Sequence, residues 1–350
     1  MACATAAHMH ARSTSRAALA ACLLVAACSG PPTGSGASES NNTSSSSSAR
    51  DWNAHPAIVQ IDTADEIFAL SDPHGGYAAL GALLQSNHLI SGFSSDWKNA
   101  SSVKWTGGGA ILVVAGDLID KGPESLGVID LLRAVERQAA ATGGRVVVTM
   151  GNHEAEFLAD PENNKATSTG KDAEGIDREL KARGVDPKEL AHGRDAEGRG
   201  KWLLSLPFGV RIKKWFFAHS GNTAGDSLPS LEKRLRHSID NNGYGDKDIT
   251  GNDSILEAQG WYGNQDKDST GKKYADALGV NHIVFGHDPG AFGEHGNVRA
   301  SKDGSLIKID VMMGLDESGA NTGGLLLHVR TKGNDSAEVL DSRGTATPLL

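Results

Sequence analysis

Short apolar runs, each ending in a cluster of glycine and polar residues, recur along the chain. Glu66-Ile67-Phe68-Ala69-Leu70 leads into Ser71-Asp72-Pro73-His74-Gly75-Gly76, Ala110–Ala115 into Gly116-Asp117, and Arg145–Met150 into Gly151-Asn152-His153-Glu154. Runs of this length bounded by glycine read as buried strands. After the first, Tyr77, Leu80, Leu83 and Leu84 share one helical face; later, Val128, Leu131, Leu132 and Val135 recur at amphipathic-helix spacing. Further strands are expected over Val210–Lys213, Trp215–Ala218, His282–Phe285, Leu306–Asp310 and Gly324–Val329. Strand, glycine-containing polar loop, then helix is the repeating pattern of an α/β sheet. Two polar stretches, 160–200 and 227–273, read as insertions on the functional side of that sheet rather than as separate domains.

The first 50 residues are different. Arg12 and Arg16, with no acid among them, precede the apolar run Ala17–Ala27, the layout of an export signal. The run ends Leu24-Val25-Ala26-Ala27-Cys28, which resembles the lipobox of bacterial lipoproteins. That resemblance implies cleavage before Cys28 and a lipid on its sulfur; the alternative is an ordinary signal cut after a small residue. Residues 29–50 are rich in Ser, Gly, Pro and Asn, including Ser44–Ser48, and read as a flexible tether with a reach of roughly 25 Å. The expected organisation is a signal peptide at 1–27, a lipidated cysteine and tether at 28–50, and a domain at 51–350. Such a chain is an exported bacterial lipoprotein, periplasmic or extracellular, touching the membrane only through the lipid on Cys28.

Composition narrows the chemistry. The chain has 350 residues, 34 Lys+Arg against 43 Asp+Glu and a formal charge of −9, which argues against a general nucleic-acid binder. No run reaches the ~18 apolar residues of an ordinary transmembrane helix. All 3 cysteines, Cys3, Cys22 and Cys28, lie near the start, so the body has no disulfide, thiolate nucleophile or Cys-ligated zinc. Any metal there is held by Asp, Asn, Glu or His.

Those residue types are not scattered. Asp72 and His74, Asp117 and Asp120, Asn152 and His153, His219 in Phe217-Ala218-His219-Ser220-Gly221-Asn222, and His287 in Phe285-Gly286-His287-Asp288 each follow an apolar strand. Ligands of open α/β sheets bind at the carboxyl ends of strands, so separate loops would deliver oxygen and imidazole donors to one edge. Single helix caps and solvated histidines do not explain a set in register with the strands.

Asp72-x-His74, Gly116-Asp117-x-x-Asp120, Gly151-Asn152-His153-Glu154, His219 and Gly286-His287 resemble, in order, the motifs of the calcineurin-like metallophosphoesterases. Lys121-Gly122-Pro123-Glu124 and the Leu206-Pro207 to Phe217-Ala218-His219 approach resemble the phosphoprotein-phosphatase branch, especially its bacterial Shewanella-like members. The resemblance implies an α/β (α+β) four-layer sandwich of two mixed β-sheets flanked by helices, with a two-metal site at the C-terminal edge of the strands. It implies that Asp72, His74 and Asp117 hold one divalent ion, and that Asp117, Asn152, His219 and His287 hold the second. Oxygen and nitrogen donors suit Mn, Fe, Zn or Co alike. It also implies His153, held by Asp120, as the general acid for a leaving oxygen. The expected activity is hydrolysis of phosphate monoesters on a small molecule or protein. The alternatives are a phosphodiesterase or nucleoside polyphosphate hydrolase, and, more remotely, a metal-stabilised surface binding protein without turnover.

Three departures bear on the substrate. Gly286-His287-Asp288-Pro289 lacks the second histidine of the Gly-His-x-His form. Lys121 stands where the branch has arginine, giving charge without the planar fork. Trp261-Tyr262 is followed by Gly263 where an arginine is expected. Candidate phosphate contacts are therefore Lys121, Asn152 and Arg211.

Other signals are weaker. His153-Glu154 lacks the later histidine of a zincin, and Gly170-Lys171 and Gly271-Lys272 lack the rest of a P-loop. Asp246 to Glu257 matches most positions of a calcium loop without flanking helices, and reads better as a solvated turn. Trp261 and Tyr262 suit either packing or the substrate mouth, while His282 and His328 read as sheet residues.

Overall fold

The computed structural model describes residues 50–350 apart from 168–174, 264–268, 294, 316–317 and 334. The expected signal peptide, Cys28 and nearly all of the tether lie outside the described residues. Arg50, expected in the tether, is instead anchored: its guanidinium donates to the carbonyls of Leu204 and Leu206 at 3.0 Å.

Along the chain run β1 (Ile58–Ile61), β2 (Glu66–Leu70), α1 (Tyr77–Ser86), β3 (Ile90–Ser91), β4 (Lys104–Trp105), β5 (Ile111–Ala115), α2 (Ser125–Ala141), β6 (Arg145–Thr149) and α3 (Asn152–Ala159). Then come α4 (Asp177–Arg183), α5 (Pro187–Ala191), α6 (Arg199–Ser205), β7 (Gly209–Ile212), β8 (Trp215–Ala218), α7 (Leu228–Asn242), α8 (Lys247–Thr250) and α9 (Thr270–Leu278). The chain closes with β9 (His282–Phe285), β10 (Arg299–Ala300), β11 (Leu306–Lys308), β12 (Leu325–Arg330), β13 (Ser336–Asp341) and β14 (Ala346–Pro348).

Two six-stranded sheets dominate, ordered β14-β13-β12-β2-β5-β6 and β1-β7-β8-β9-β11-β10. Both are mixed. In the first, β2, β5 and β6 run parallel, with Phe68 opposite Leu112 and Leu112 opposite Val146. In the second, β8, β9 and β11 run parallel. These strands are almost wholly buried, because both faces of each parallel segment are covered. On α2, Leu126, Val128, Ile129, Leu131, Leu132 and Val135 are buried, the stripe that the sequence periodicity defines. The sandwich of two mixed sheets flanked by helices is the one expected.

The differences are local. The strand expected over Leu306–Asp310 ends at Lys308, leaving Asp310 in the following loop. Strands β1, β3, β4, β10, β13 and β14 lie outside the expected set; β13, between β12 and β14, has four of its residues only half-buried. Segment 160–200 carries α4 and α5, and segment 227–273 carries α7 and α8.

Candidate active site

Strands β2, β5, β6, β8 and β9 each end at a predicted site residue, and a single cavity of about 700 Å³ opens there. Its lining includes Asp72, His74, Asp117, Asn152, His153 and His287. His219 lies beneath it, fully buried. The turns that follow the strands are tight. Asp72, His74, Asp117, Asp120, Lys121 and His287 all have φ between 39° and 64°, a backbone state that non-glycine residues adopt at a cost. Strained turns of this kind concentrate at functional sites because surrounding structure holds them in place.

Glycine permits the close approach. A Cβ on Gly286 would lie 2.2 Å from Asp72 Oδ2 and 2.6 Å from Ser71 Oγ. One on Gly151 would lie 2.2 Å from the Asp117 nitrogen. Gly286 thus lets loops from the two sheets touch, and Gly151 lets the loops after the neighbouring strands β5 and β6 touch.

Asp117 is the centre. Its Oδ2 lies 3.4 Å from His74 Nε2 and 3.9 Å from His153 Nε2, while its Oδ1 lies 3.2 Å from His219 Nε2. Two donor groups result, His74/Asp117/His153 and Asp117/His219/His287, each with its ligand atoms within 4.8 Å of one another. Asp72 adjoins the first, 4.0 Å from His74 Nε2. Asn152 adjoins the second, its Oδ1 2.8 Å from His219 Nε2.

The hydrogen bonds fix which nitrogen faces inward. His74 Nδ1 donates to the Ile119 carbonyl at 3.0 Å, leaving the Nε2 lone pair toward Asp117. His287 Nε2 donates to the Glu257 carbonyl at 3.0 Å, leaving Nδ1 available. His219 has acceptors on both sides: Ala115 O at Nδ1, 2.9 Å away, and Asn152 Oδ1 and Asp117 Oδ1 at Nε2. Only the doubly protonated ring satisfies this. Burial alone would depress its pKa, but Asp117 and then Asp72 outweigh burial and push it up to about 10.

Asp117 Oδ1, Asn152 Oδ1 and His219 Nε2 therefore converge on a point that calls for positive charge, which a ring proton or a cation would supply. Burial, then the charges of Asp310 and Asp117, raises the Asp72 carboxyl well above its ordinary range. A buried crowd of carboxylates and imidazoles without sulfur fits divalent cations with oxygen and nitrogen preference, and Asp117 is common to both groups.

His153, a member of the first group, is also paired with the buried Asp120. His153 Nδ1 lies 2.8 Å from Asp120 Oδ2, and Asp120 Oδ1 accepts the Ile176 backbone N–H at 2.8 Å. Behind these residues, Glu154 accepts the N–H groups of Asp117, Leu118, Ile119 and Gly151.

Of the phosphate candidates, Lys121 and Asn152 line the cavity, and Lys121 Nζ lies 2.9 Å from His74 Nε2. Arg211 does not. It donates to Asp62 Oδ1 at 2.6 Å, and the reason is topological: β7 runs antiparallel to β8, so Gly209, opposite Ala218, is the residue near the site. The calcium-loop alternative also fails. Asp246 caps α8 through the Asp248 N–H, whereas Glu257 turns into the cavity and accepts Asn152 Nδ2 at 2.9 Å. Trp261 and Tyr262 pack. Trp261 stacks on Tyr274 with ring centroids 5.5 Å apart, and Tyr262 donates to Asp288 Oδ2. Glu257, Lys165 and Asp310 line the cavity without having been singled out for the site.

The chain belongs to the calcineurin-like phosphoesterase family, which matches residues 66–291. That family uses a dinuclear divalent metal site. Among curated relatives, Shewanella-like protein phosphatase 2 of Arabidopsis thaliana is 41% identical over 95 residues, 27% of this chain and 22% of that protein. Shewanella-like protein phosphatase 1 of Plasmodium berghei is 29% identical over 193 residues, 51% of this chain and 45% of that protein. A symmetrical bis(5'-nucleosyl)-tetraphosphatase of Cronobacter sakazakii is 29% identical over 172 residues, 48% of this chain and 47% of that protein. The matched region spans less than half the length of each of these relatives. Among solved structures, the cold-active protein-tyrosine phosphatase of a Shewanella species shares the fold, with a TM-score of 0.63, 21% identity and coverage of 84% of this chain and 82% of that one.

Proposed function

We propose that the protein is a metal-dependent phosphate monoester hydrolase, with phosphoproteins within its substrate range, carried on an exported, lipid-anchored chain. Asp72, His74 and Asp117 would hold one cation, and Asp117, Asn152, His219 and His287 the other. When bound, such a pair neutralises phosphate charge and acidifies the attacking water.

The chain's own groups supply the rest. Lys121 and Asn152 line the cavity, where they would meet phosphate oxygens. Asp120 fixes the His153 tautomer with the proton on Nδ1 and stabilises the ring when it also carries a proton on Nε2. That second proton passes to the leaving oxygen. The observation that carries the reading is this 2.8 Å pair, because a binding protein needs no oriented acid beside its metal donors. Among the described lining residues there is no Phe, Tyr or Trp to stack a base, which favours a monoester over a dinucleoside polyphosphate.

Export rests on the Arg12/Arg16 and Ala17–Ala27 pattern, and the anchor on Cys28. Labelling cells with a lipid precursor tests the anchor, and a Cys28→Ala chain that still takes up label refutes it. For the chemistry, the metal-loaded protein is assayed on p-nitrophenyl phosphate and bis-p-nitrophenyl phosphate. Faster monoester turnover is expected, and faster diester turnover overturns the assignment.

A further inference from the structure

Lys165 sits in segment 160–200, outside every motif, yet it lines the cavity with Lys121; these two are the only Lys or Arg side chains among its described lining residues. Its Nζ donates to Glu156 Oε1 at 2.8 Å and to Glu257 Oε1 at 3.0 Å. Glu156 lies one helical turn beyond Asn152 on α3, so both face the same way. Glu257 accepts Asn152 Nδ2 at 2.9 Å through the oxygen that Lys165 holds. Lys165 is therefore one side chain removed from a donor of the expected metal site.

We propose that Lys165 is the second phosphate-binding cation of this site, taking the place left by Gly263, where the resembling branch carries arginine. The proposal rests on the site's reading as a phosphate ester hydrolase. An ammonium has three donors, and the two glutamates use two, leaving one for a further acceptor. The side chain is 39% exposed, so the cation is reachable from solvent while its direction is fixed by the two carboxylates. Electrostatics points the same way. Without Lys165, an incoming phosphate would meet Glu257 and Asp253 in the lining with Lys121 as the one Lys or Arg among the described lining residues. With it, the lining carries a second hydrogen-bonding cation beside Lys121, and a point charge accepts phosphate esters of varied shape more readily than a bidentate fork does.

The test uses the metal-loaded protein, the variants Lys165→Met, Lys165→Arg and Lys165→Met/Glu156→Gln, and inorganic phosphate as the probe. Calorimetric titration reads phosphate affinity without turnover. Steady-state kinetics on p-nitrophenyl phosphate separate KM from kcat. Lys165→Met is expected to weaken phosphate binding and raise KM about 10-fold or more, the worth of one charge-assisted hydrogen bond, with metal content unchanged. Lys165→Arg should restore most of the affinity, and the double variant should not. If phosphate affinity is the same in Lys165→Met and the unmodified protein, the proposal is overturned. It is equally overturned if Glu156→Gln restores the loss, since Lys165 would then only be neutralising glutamates. A protein that binds phosphate through Lys165 but hydrolyses no ester refutes the hydrolase reading alone.

Discussion

The buried Glu154 carboxylate accepts the backbone N–H of Asp117 at 3.0 Å, tying the helix that follows β6 to the loop that follows β5. The same carboxylate also accepts Leu118 at 2.8 Å, Ile119 at 3.2 Å and Gly151 at 2.9 Å. One side chain thus sets the turn that presents the central carboxylate. Burial, then the Asp117 charge, nevertheless pushes its pKa up to about 7, so it is held at an electrostatic cost. Glu154→Gln would point an amide N–H₂ at donors in a fully buried place. The expected cost is about 3 kcal/mol, for a lost charge-assisted bond and unsatisfied donors. The unfolding midpoint should fall by roughly 5–10 °C. Thermal unfolding checks this, and an unchanged midpoint would show that the four bonds do not hold the turn.

Asp120 holds His153 with one oxygen and the Ile176 N–H with the other. In Asp120→Asn the amide nitrogen faces His153 Nδ1, which reverses the ring tautomer and removes the group that stabilises its charged form. Turnover of alkyl phosphates, whose leaving oxygen must be protonated, should fall about 10²–10⁴-fold. For p-nitrophenyl phosphate, whose leaving group departs as an anion, the fall should be under about 10-fold by the same proton-transfer reasoning. Parallel assays on the two esters check it; equal losses on both would remove His153 from the acid role.

How far the site was legible follows from where its residues sit. Asp72, Asp117, Asn152, His219 and His287 are readable because each terminates an apolar run, and the pleated strand fixes where such a residue emerges. Arg211 misleads for the same reason: it lies on a strand, but β7 points the other way, and strand direction leaves no mark in hydrophobic pattern. Glu257 and Lys165 lie in polar stretches without periodicity, so only the folded chain brings them to the cavity, whereas Asp310 closes an expected strand yet was not read as a site residue. Glu154 was visible as a motif residue, yet its four backbone partners depend on how two turns meet.

Gly286 tests whether the two sheets must touch. Its missing side chain leaves room for Asp72, and the His287 N–H lies 3.2 Å from Asp72 Oδ2. Gly286→Ala would put a Cβ within 2.2 Å of that oxygen, displacing either Asp72 or the loop carrying His287. The expected result is loss of at least one bound metal by elemental analysis, with the apolar core intact by near-UV circular dichroism. Full metal content in the variant would mean that the two loops are placed independently.

The His219 proton predicts how the metal-free protein responds to pH. A group whose folded pKa is raised stabilises the fold fully below its unfolded value of about 6.5, and that stability is lost as pH rises through the folded value. Here the folded value is about 10, set by Asp117 and Asp72 against burial. Metal-free protein should therefore lose stability steadily from about pH 7 to 10. Burial also raises Glu154 and Glu156 to about 7 and raises the Asp72 carboxyl well above its ordinary range, and carboxyls shifted upward add to the loss of stability as pH rises. A cation seated between Asp117, Asn152 and His219 would displace that proton, so metal-loaded protein should show a flatter profile over the same window. It should also unfold about 2–4 kcal/mol later when metal is present at 100–1,000 times its dissociation constant. Chelator-treated and metal-loaded samples unfolded in denaturant across this range check both statements. Parallel pH profiles would show that no cation replaces the His219 proton.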